Sequence, residues 1–454
     1  MKKLFFSAAA LCLLAGCYEV SNASREAYTS WKRWEKQELK FRVGKKGSEA
    51  ENEKKAAYFK ACVAKFAPYI LKEFEEIDTF MSWKPGTALR INCLGVDYKA
   101  VPAPHECTSW LAMPETTAGK EVMLHKNRDS SSRYLTAHRI SVPGKYSWIG
   151  NCNYGTIAPT SGMNEKALAV VMNSGPRSKG ETSMGMGTPF ITRIILEQCK
   201  NAAEAVKLLE KIVKAKAYNH GSSGSIWFFA DPKAAFLVEH DGVVFKAAQV
   251  KSGVALRANS WHFPETLVYS KNKPGAIIAN TNREYALRDL LVNQILGAGK
   301  RITLEDMLKA SRIDKFEFAP QNYALCDKLT VVGTTYVLDP EFPEELSYFV
   351  STFGPPRHGL YIPVPGTLEK VPESISSGSW AEQLFKRKIA KKALDMKKLE
   401  SAEAQMLKKH QAAREEARKV LRAGGFSARK KAIDIMEKAF AENMKAAEKF
   451  SAAL

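Results

Sequence analysis

The chain has 454 residues, 45% of them hydrophobic, which leaves room for one large core with appendages and is the balance of a globular protein. Lys and Arg number 68 against 48 Asp and Glu, a net charge of +20. A balance so basic suits nucleic acid, anionic membrane or cell wall. No zinc-finger, recognition-helix or aromatic RNA-binding pattern accompanies it, so nucleic acid ranks low among the partners.

Met1-Lys2-Lys3 precedes an apolar stretch from Leu4 to Leu14, too short to span a bilayer and laid out as a secretory signal. The following Leu14-Ala15-Gly16-Cys17 looks like a bacterial lipobox, in which Cys17 receives a diacylglycerol and becomes the mature first residue. Tyr18, in place of Asp, leans toward the outer membrane. The expectation is a lipid-anchored protein of the bacterial cell envelope, facing periplasm or exterior. Residues 18–106 then form a separate segment. Gly44 to Glu53 reads as a flexible linker, and Phe59, Val63, Phe66, Ile70, Phe74 and Ile77 set a helical spacing over Tyr58 to Phe80.

Cys107-Thr108-Ser109-Trp110 opens the stretch that carries the chemistry. Ala118-Gly119-Lys120 is a turn signal, and Leu124-His125-Lys126-Asn127-Arg128-Asp129 follows, so a hairpin is expected to bring Asp129 back beside Cys107. A thiol titrates near about 8.5 and needs a base or a cation beside it to attack at neutral pH. A cysteine that begins a chain carries such a base, because its α-amine titrates near about 7.7–8.0. Further on come Ser161-Gly162-Met163-Asn164-Glu165-Lys166-Ala167-Leu168, then Met172-Asn173-Ser174-Gly175, and Gly187-Thr188-Pro189-Phe190 before Arg193-Ile194-Ile195-Leu196-Glu197. Phe229-Ala230-Asp231-Pro232 through Val238-Glu239 precedes Arg257-Ala258-Asn259-Ser260-Trp261-His262. Asn282-Arg283-Glu284-Tyr285-Ala286-Leu287-Arg288 holds two arginines, and Thr330 to Gly354 reads as closing strands.

Pro363 to Ser379, rich in Pro, Gly and Ser, makes a natural boundary before a linker and helical hairpin over 371–454. Residues 381–454 hold 19 Lys and Arg against 10 Asp and Glu. Phe385, Ile389, Met396, Leu399, Met406, Ala413, Ala417 and Val420 keep a spacing of three and four, interrupted by Lys392, Glu403 and His410. Gly424-Gly425 breaks the pattern, and Ser427 is placed to cap a second helix. Such a hairpin packs on the core or pairs with another copy, and its charges read as a solvated face.

Taken in order, the segments from Cys107 to about Pro356 resemble the N-terminal-nucleophile cysteine hydrolases, most closely the penicillin acyltransferase family of autoproteolytic acyltransferases and amidohydrolases. Choloylglycine hydrolases and bacterial cysteine dipeptidases are similar relatives. The resemblance implies an α+β fold, a four-layer αββα sandwich with the nucleophile at the start of a strand in the domain 107–370. It implies a cut between Glu106 and Cys107, with residues 18–106 kept as a small subunit. By the same resemblance Cys107 is the nucleophile and its freed amine the proton shuttle, Asp129 orients that amine, Asn259 is an oxyanion donor and Asn173 lines the pocket. Arg283 or Arg288 is the family's late arginine, with Arg283 the slightly better match. Relatives have Arg-Asn-x-Asp where this chain has Lys126-Asn127-Arg128-Asp129, so Lys126 or Arg128 supplies the site's cation.

The expected reaction is hydrolysis or acyl transfer at a linear amide bond of a small molecule or peptide, through a thioester on Cys107. Alternatives are a dipeptidase or bile-salt amidase of the same superfamily and, from another class, a non-catalytic lipoprotein that binds cell wall or a protein partner. Cys62, Cys93, Cys152, Cys199 and Cys326 are left over, an odd number that leaves a Cys62–Cys93 disulfide and free thiols equally open. No Cys or His spacing suggests zinc, and the resemblance implies neither metal nor cofactor. His105, His125 and His262 are read as structural.

Overall fold

The computed structural model describes residues 42–43, 48–94, 96–97, 107–130, 135–153, 155–182, 184–219, 221–267, 288–289, 292–297, 299, 301–314, 324–327, 329–390 and 394–453. The signal, the lipobox Cys17, His105, Glu106 and Arg283 lie outside the described residues.

The first helices are α1 (Glu49–Phe66), α2 (Tyr69–Met81) and α3 (Thr87–Leu94). The linker expected through Glu53 ends earlier, because Ser48 starts α1. Its hydroxyl accepts from Glu51 N (3.3 Å) while the Glu51 carboxylate accepts from Ser48 N (2.8 Å), a reciprocal cap. The single helical spacing over Tyr58 to Phe80 becomes two helices, since Pro68 has no N–H to continue α1. Phe59, Val63, Ile70, Phe74 and Ile77 keep their common face and are buried in one cluster.

Leaving aside two-residue bridges and four-residue helical turns, the chain then runs β1 (Cys107–Ala112), β2 (Val122–Asp129), β3 (Leu135–Ile140), β4 (Trp148–Asn153), β5 (Pro159–Asn164) and β6 (Ala169–Thr182). After α4 (Thr188–Gln198) and α5 (Ala202–Lys214) come β7 (Gly221–Ala230), β8 (Ala235–His240), β9 (Phe245–Val250) and β10 (Val254–Arg257). Next are α6 (Leu304–Ala310), β11 (Thr330–Leu338), β12 (Tyr348–Ser351), β13 (Ile362–Pro365), α7 (Ser379–Ile389), α8 (Met396–Ala423) and α9 (Ala428–Ala452).

Two antiparallel sheets result, seven-stranded in the order β9-β8-β7-β6-β5-β4-β3 and six-stranded in the order β10-β1-β2-β11-β12-β13. Side chains alternate across each strand, and this period assigns the layers. Trp227 and Phe229 of β7 join α1–α5 in one core, while Ile226 and Phe228 join Leu111, Leu124 and Tyr336 of the other sheet. Trp110 and Met123 point the other way, to Val292, Leu296, Met307 and Leu308. Helix, sheet, sheet and helix are thus stacked as expected, each fully buried apolar side chain contributing roughly 1.5–3 kcal/mol.

The C-terminal part departs from expectation. Within Pro363 to Ser379, Ile362–Pro365 forms β13, and Val371 and Ile375 are buried between the sheets. The buried line of α8 is Leu399, Glu403, Met406, His410, Arg414 and Ala417, so the supposed interruptions Glu403 and His410 face inward. Arg312 Nη1 donates to Glu403 (2.7 Å), and Arg414 donates to Glu121 (2.8 Å) and Asp339 (2.5 Å). Those charges are paired and buried rather than solvated, and Met406, Phe440 and Met444 join the core between the sheets. Ser427 precedes α9 but makes no side-chain cap. Cys62 and Cys93 are both free thiols. No helix of the described residues is long and apolar enough to cross a membrane.

Candidate active site

Cys107 is the first residue of β1, and the turn at Ala118-Gly119-Lys120 returns the chain as β2, as the sequence predicts. The register pairs Cys107 with Arg128, Thr108 with Asn127, Ser109 with Lys126 and Trp110 with His125. Residues directly opposite share a face. Cys107, Ser109, Lys126 and Arg128 therefore line the face toward the seven-stranded sheet, and Thr108, Trp110, His125, Asn127 and Asp129 the other.

On the inner face the two sheets meet through polar atoms. Asn173, on β6, accepts at Oδ1 from Ser109 Oγ (2.9 Å) and Lys126 Nζ (3.1 Å) and donates from Nδ2 to Arg257 O (2.9 Å) and Ala258 O (3.1 Å). It is fully buried with both amide atoms engaged, so it braces the two sheets and the segment after β10. That segment carries Asn259, whose Oδ1 accepts from Cys107 N (2.8 Å) while its Nδ2 donates to Ser174 O (2.7 Å). A side-chain amide nitrogen has two hydrogens, so a second N–H remains to be donated beside Cys107. Trp261 holds the loop down, its ring lying where a Cβ on Gly224 or Gly175 would stand, 2.2 and 2.7 Å away.

Lys126 is buried, its Nζ on Met172 O, on Asn173 Oδ1 and within hydrogen-bonding reach of the Cys107 thiol. Burial lowers its pKa, opposed by the nearby thiol and Asp129 and aided by Arg128. Arg128, half-buried, donates to Asn153 Oδ1 (2.7 Å).

The outer face holds the carboxylates. Asp129 follows Arg128, the partner of Cys107, so its side chain leaves on the face opposite the thiol. It accepts from Arg288 Nη1 (2.9 Å) and Thr330 Oγ1 (2.6 Å), and Arg288 also reaches Thr108 Oγ1 and Asp327 Oδ2, both at 3.3 Å. Burial and the neighbouring Asp327 push the Asp129 carboxyl up to about 7, against the pull of Arg288. Arg288 is fully buried here, while Arg283 lies outside the described residues. His125 bonds Thr335 and Asn127, stacks on Trp110 and is driven to about 3 by burial, which keeps it neutral and structural.

Sequence reasoning missed several supports. Ser109, Thr330 and Asp327 belong to them, as do Glu239 and Asp289. Glu239 accepts from Arg257, His262 N, Phe263 N and Thr266, and Asp289 from Ala258 N and His262. Only Ser109 left a signal, standing two residues from Cys107 and hence on its face. Among the described residues no cluster of His, Cys, Asp and Glu suits a metal ion.

Residues 116–273 match the model of the family described as acyl-coenzyme A:6-aminopenicillanic acid acyl-transferase. That stretch is of the penicillin acyltransferase family. It takes in Lys126, Arg128, Asp129, Asn173 and Asn259, and Cys107 and Arg288 flank it. Among solved structures, a Caenorhabditis elegans N-acylethanolamine-hydrolyzing acid amidase ortholog is similar at 13% identity, over 52% of this chain and 94% of that one, with a TM-score of 0.36. Two variants of the conjugated bile acid hydrolase from Clostridium perfringens are similar at 10% and 11% identity, each over 54% of this chain and 88% of theirs, with TM-scores of 0.36 and 0.34. No curated protein sequence matches the chain.

Proposed function

We propose that this chain, whose residues 116–273 match the penicillin acyltransferase family, is a cysteine amidohydrolase or acyltransferase whose nucleophile is Cys107, exposed by a cut between residues 106 and 107. The observation that carries the reading is the convergence on Cys107 of Asn259, at 2.8 Å from its nitrogen, and of Lys126, at its thiol. In the cut form the α-amine of Cys107 takes the thiol proton, and the sulfur attacks the amide carbonyl. The remaining N–H of Asn259 holds the oxyanion, the amine returns the proton to the leaving nitrogen, and water or an acceptor amine resolves the thioester. Asp129, next to the strand partner of Cys107, orients the new amine from the outer face, with Arg288 holding it in place.

The segment before the cut stays on as a subunit, supported by the burial of α1 and α2 against α4 and the seven-stranded sheet. Cys17 carries the lipid that holds this assembly at the cell envelope. The test is a mass spectrum of protein purified from membranes. Two fragments meeting at Cys107 are expected, and Cys107→Ala is expected to give one uncut chain without amide-cleaving activity. An uncut wild type whose function survives Cys107→Ser would overturn the proposal and favour a binding lipoprotein.

A further inference from the structure

The amine that serves the cut enzyme as its base does not exist in the uncut chain. There Cys107 N is an amide nitrogen, and it donates to Asn259. The first cut therefore needs another group to take the thiol proton; Lys126 reaches the thiol, and Arg128 and Asp129 act on Lys126 in turn. Arg128 cannot lose a proton in a protein. Asp129 lies across the strand and is occupied by Arg288 and Thr330.

Resting on the function proposed above, we infer that Lys126 takes the thiol proton of Cys107 and delivers it to the departing backbone nitrogen when the chain cuts itself. Its three neighbours fit a neutral amine. Two are acceptor oxygens, Met172 O and Asn173 Oδ1, which match the two N–H groups of an amine, and the third is a thiol, which matches its lone pair. Burial lowers the lysine's pKa and favours that neutral form. Transfer of the proton from sulfur to Nζ leaves an ammonium facing a thiolate. The thiolate attacks the carbonyl carbon of residue 106, and the carbon–nitrogen bond of Cys107 breaks as Nζ returns the proton to nitrogen. Water then hydrolyses the resulting thioester, freeing the carboxylate of residue 106 and both the thiol and the amine of Cys107. Where relatives carry an arginine, this chain thus carries a group of equal charge that can also titrate.

Lys126→Arg separates charge from titration. The uncut protein and its Lys126→Arg and Lys126→Met variants are followed at pH 7 by mass spectrometry, which reads both appearance of the fragment beginning at Cys107 and iodoacetamide labelling of Cys107. With arginine, labelling is expected to persist, because a cation still favours the thiolate, and this also reports a folded site. Cutting is expected to slow by roughly a hundredfold or more, the usual contribution of general acid–base catalysis. With methionine both fall. An arginine variant that cuts at the wild-type rate overturns the inference alone. A wild type that never cuts overturns it together with the reading it rests on.

Discussion

The two faces of the hairpin β1–β2 differ in what they spend their polar groups on. Toward the seven-stranded sheet, Cys107, Ser109, Lys126 and Arg128 meet neutral amide and carbonyl oxygens. Away from it, Thr108, Asn127 and Asp129 meet a buried guanidinium, a second carboxylate and backbone carbonyls held by Asn127 Nδ2, on Ser311 O and Leu325 O (both 2.8 Å). One strand thickness separates a reactive face from a bracing face. Reactivity needs an incompletely satisfied site, with a spare N–H on Asn259 and a lysine able to change charge, while bracing needs every buried charge answered. The pairing register assigns each residue to one or the other.

The sharpest way to break the bracing face is to remove its central cation. Arg288→Leu leaves Asp129 and Asp327 without their shared partner, and unpairing a buried charge costs about 3–5 kcal/mol. Urea unfolding at pH 7 is expected to show a loss of that order. A loss below about 1 kcal/mol would mean that the face is held by packing alone, as in the cluster around Trp110 and Met307.

Much of this division was legible in the residues, but not all. The turn at Ala118-Gly119-Lys120 and the strands on either side follow from local turn chemistry and apolar runs, and these place Cys107 and Asp129 at one end of one hairpin. Which face each takes depends on parity. Cys107 pairs with Arg128, and a slip of one residue would have put Asp129 beside the thiol. Turn type and length set that parity, and composition does not reveal them. The burial of Arg288 was not legible because its partners Asp129 and Asp327 lie 159 and 39 residues away in sequence. Glu403 failed for the same reason. A charge on a helix reads as exposed until its partner is known, and Arg312 lies 91 residues upstream.

On the reactive face the matching break is Asn259→Ala. It removes the acceptor for Cys107 N and the donor proposed for the oxyanion, so amide cleavage is expected to fall about a hundredfold or more, with binding of substrate little changed. Stability is expected to suffer less than in Arg288→Leu, because Trp261, Glu239 and Asp289 still hold the loop. If kcat stays within a few-fold of wild type, the oxyanion is held elsewhere and the inner face has been misassigned.

The smallest expected effect is a slope. Asp129 titrates near 3.8 in an unfolded chain and is pushed up to about 7 in the fold. The folded state therefore binds this proton more tightly, and the stability it gives is fully present below about pH 3.8 and lost as pH rises through about 7. Between those limits the group contributes less than about 1.4 kcal/mol per pH unit, since no more than one proton is involved. Asp129→Asn keeps the shape of the neutral carboxyl and removes the titration, so the wild-type minus variant difference in unfolding free energy is expected to decline from pH 4 to pH 7. A difference that rises over that range would show that Arg288 outweighs burial and Asp327, holding Asp129 charged. The bracing face would then be an ordinary ion pair rather than a neutral carboxyl beside a buried arginine.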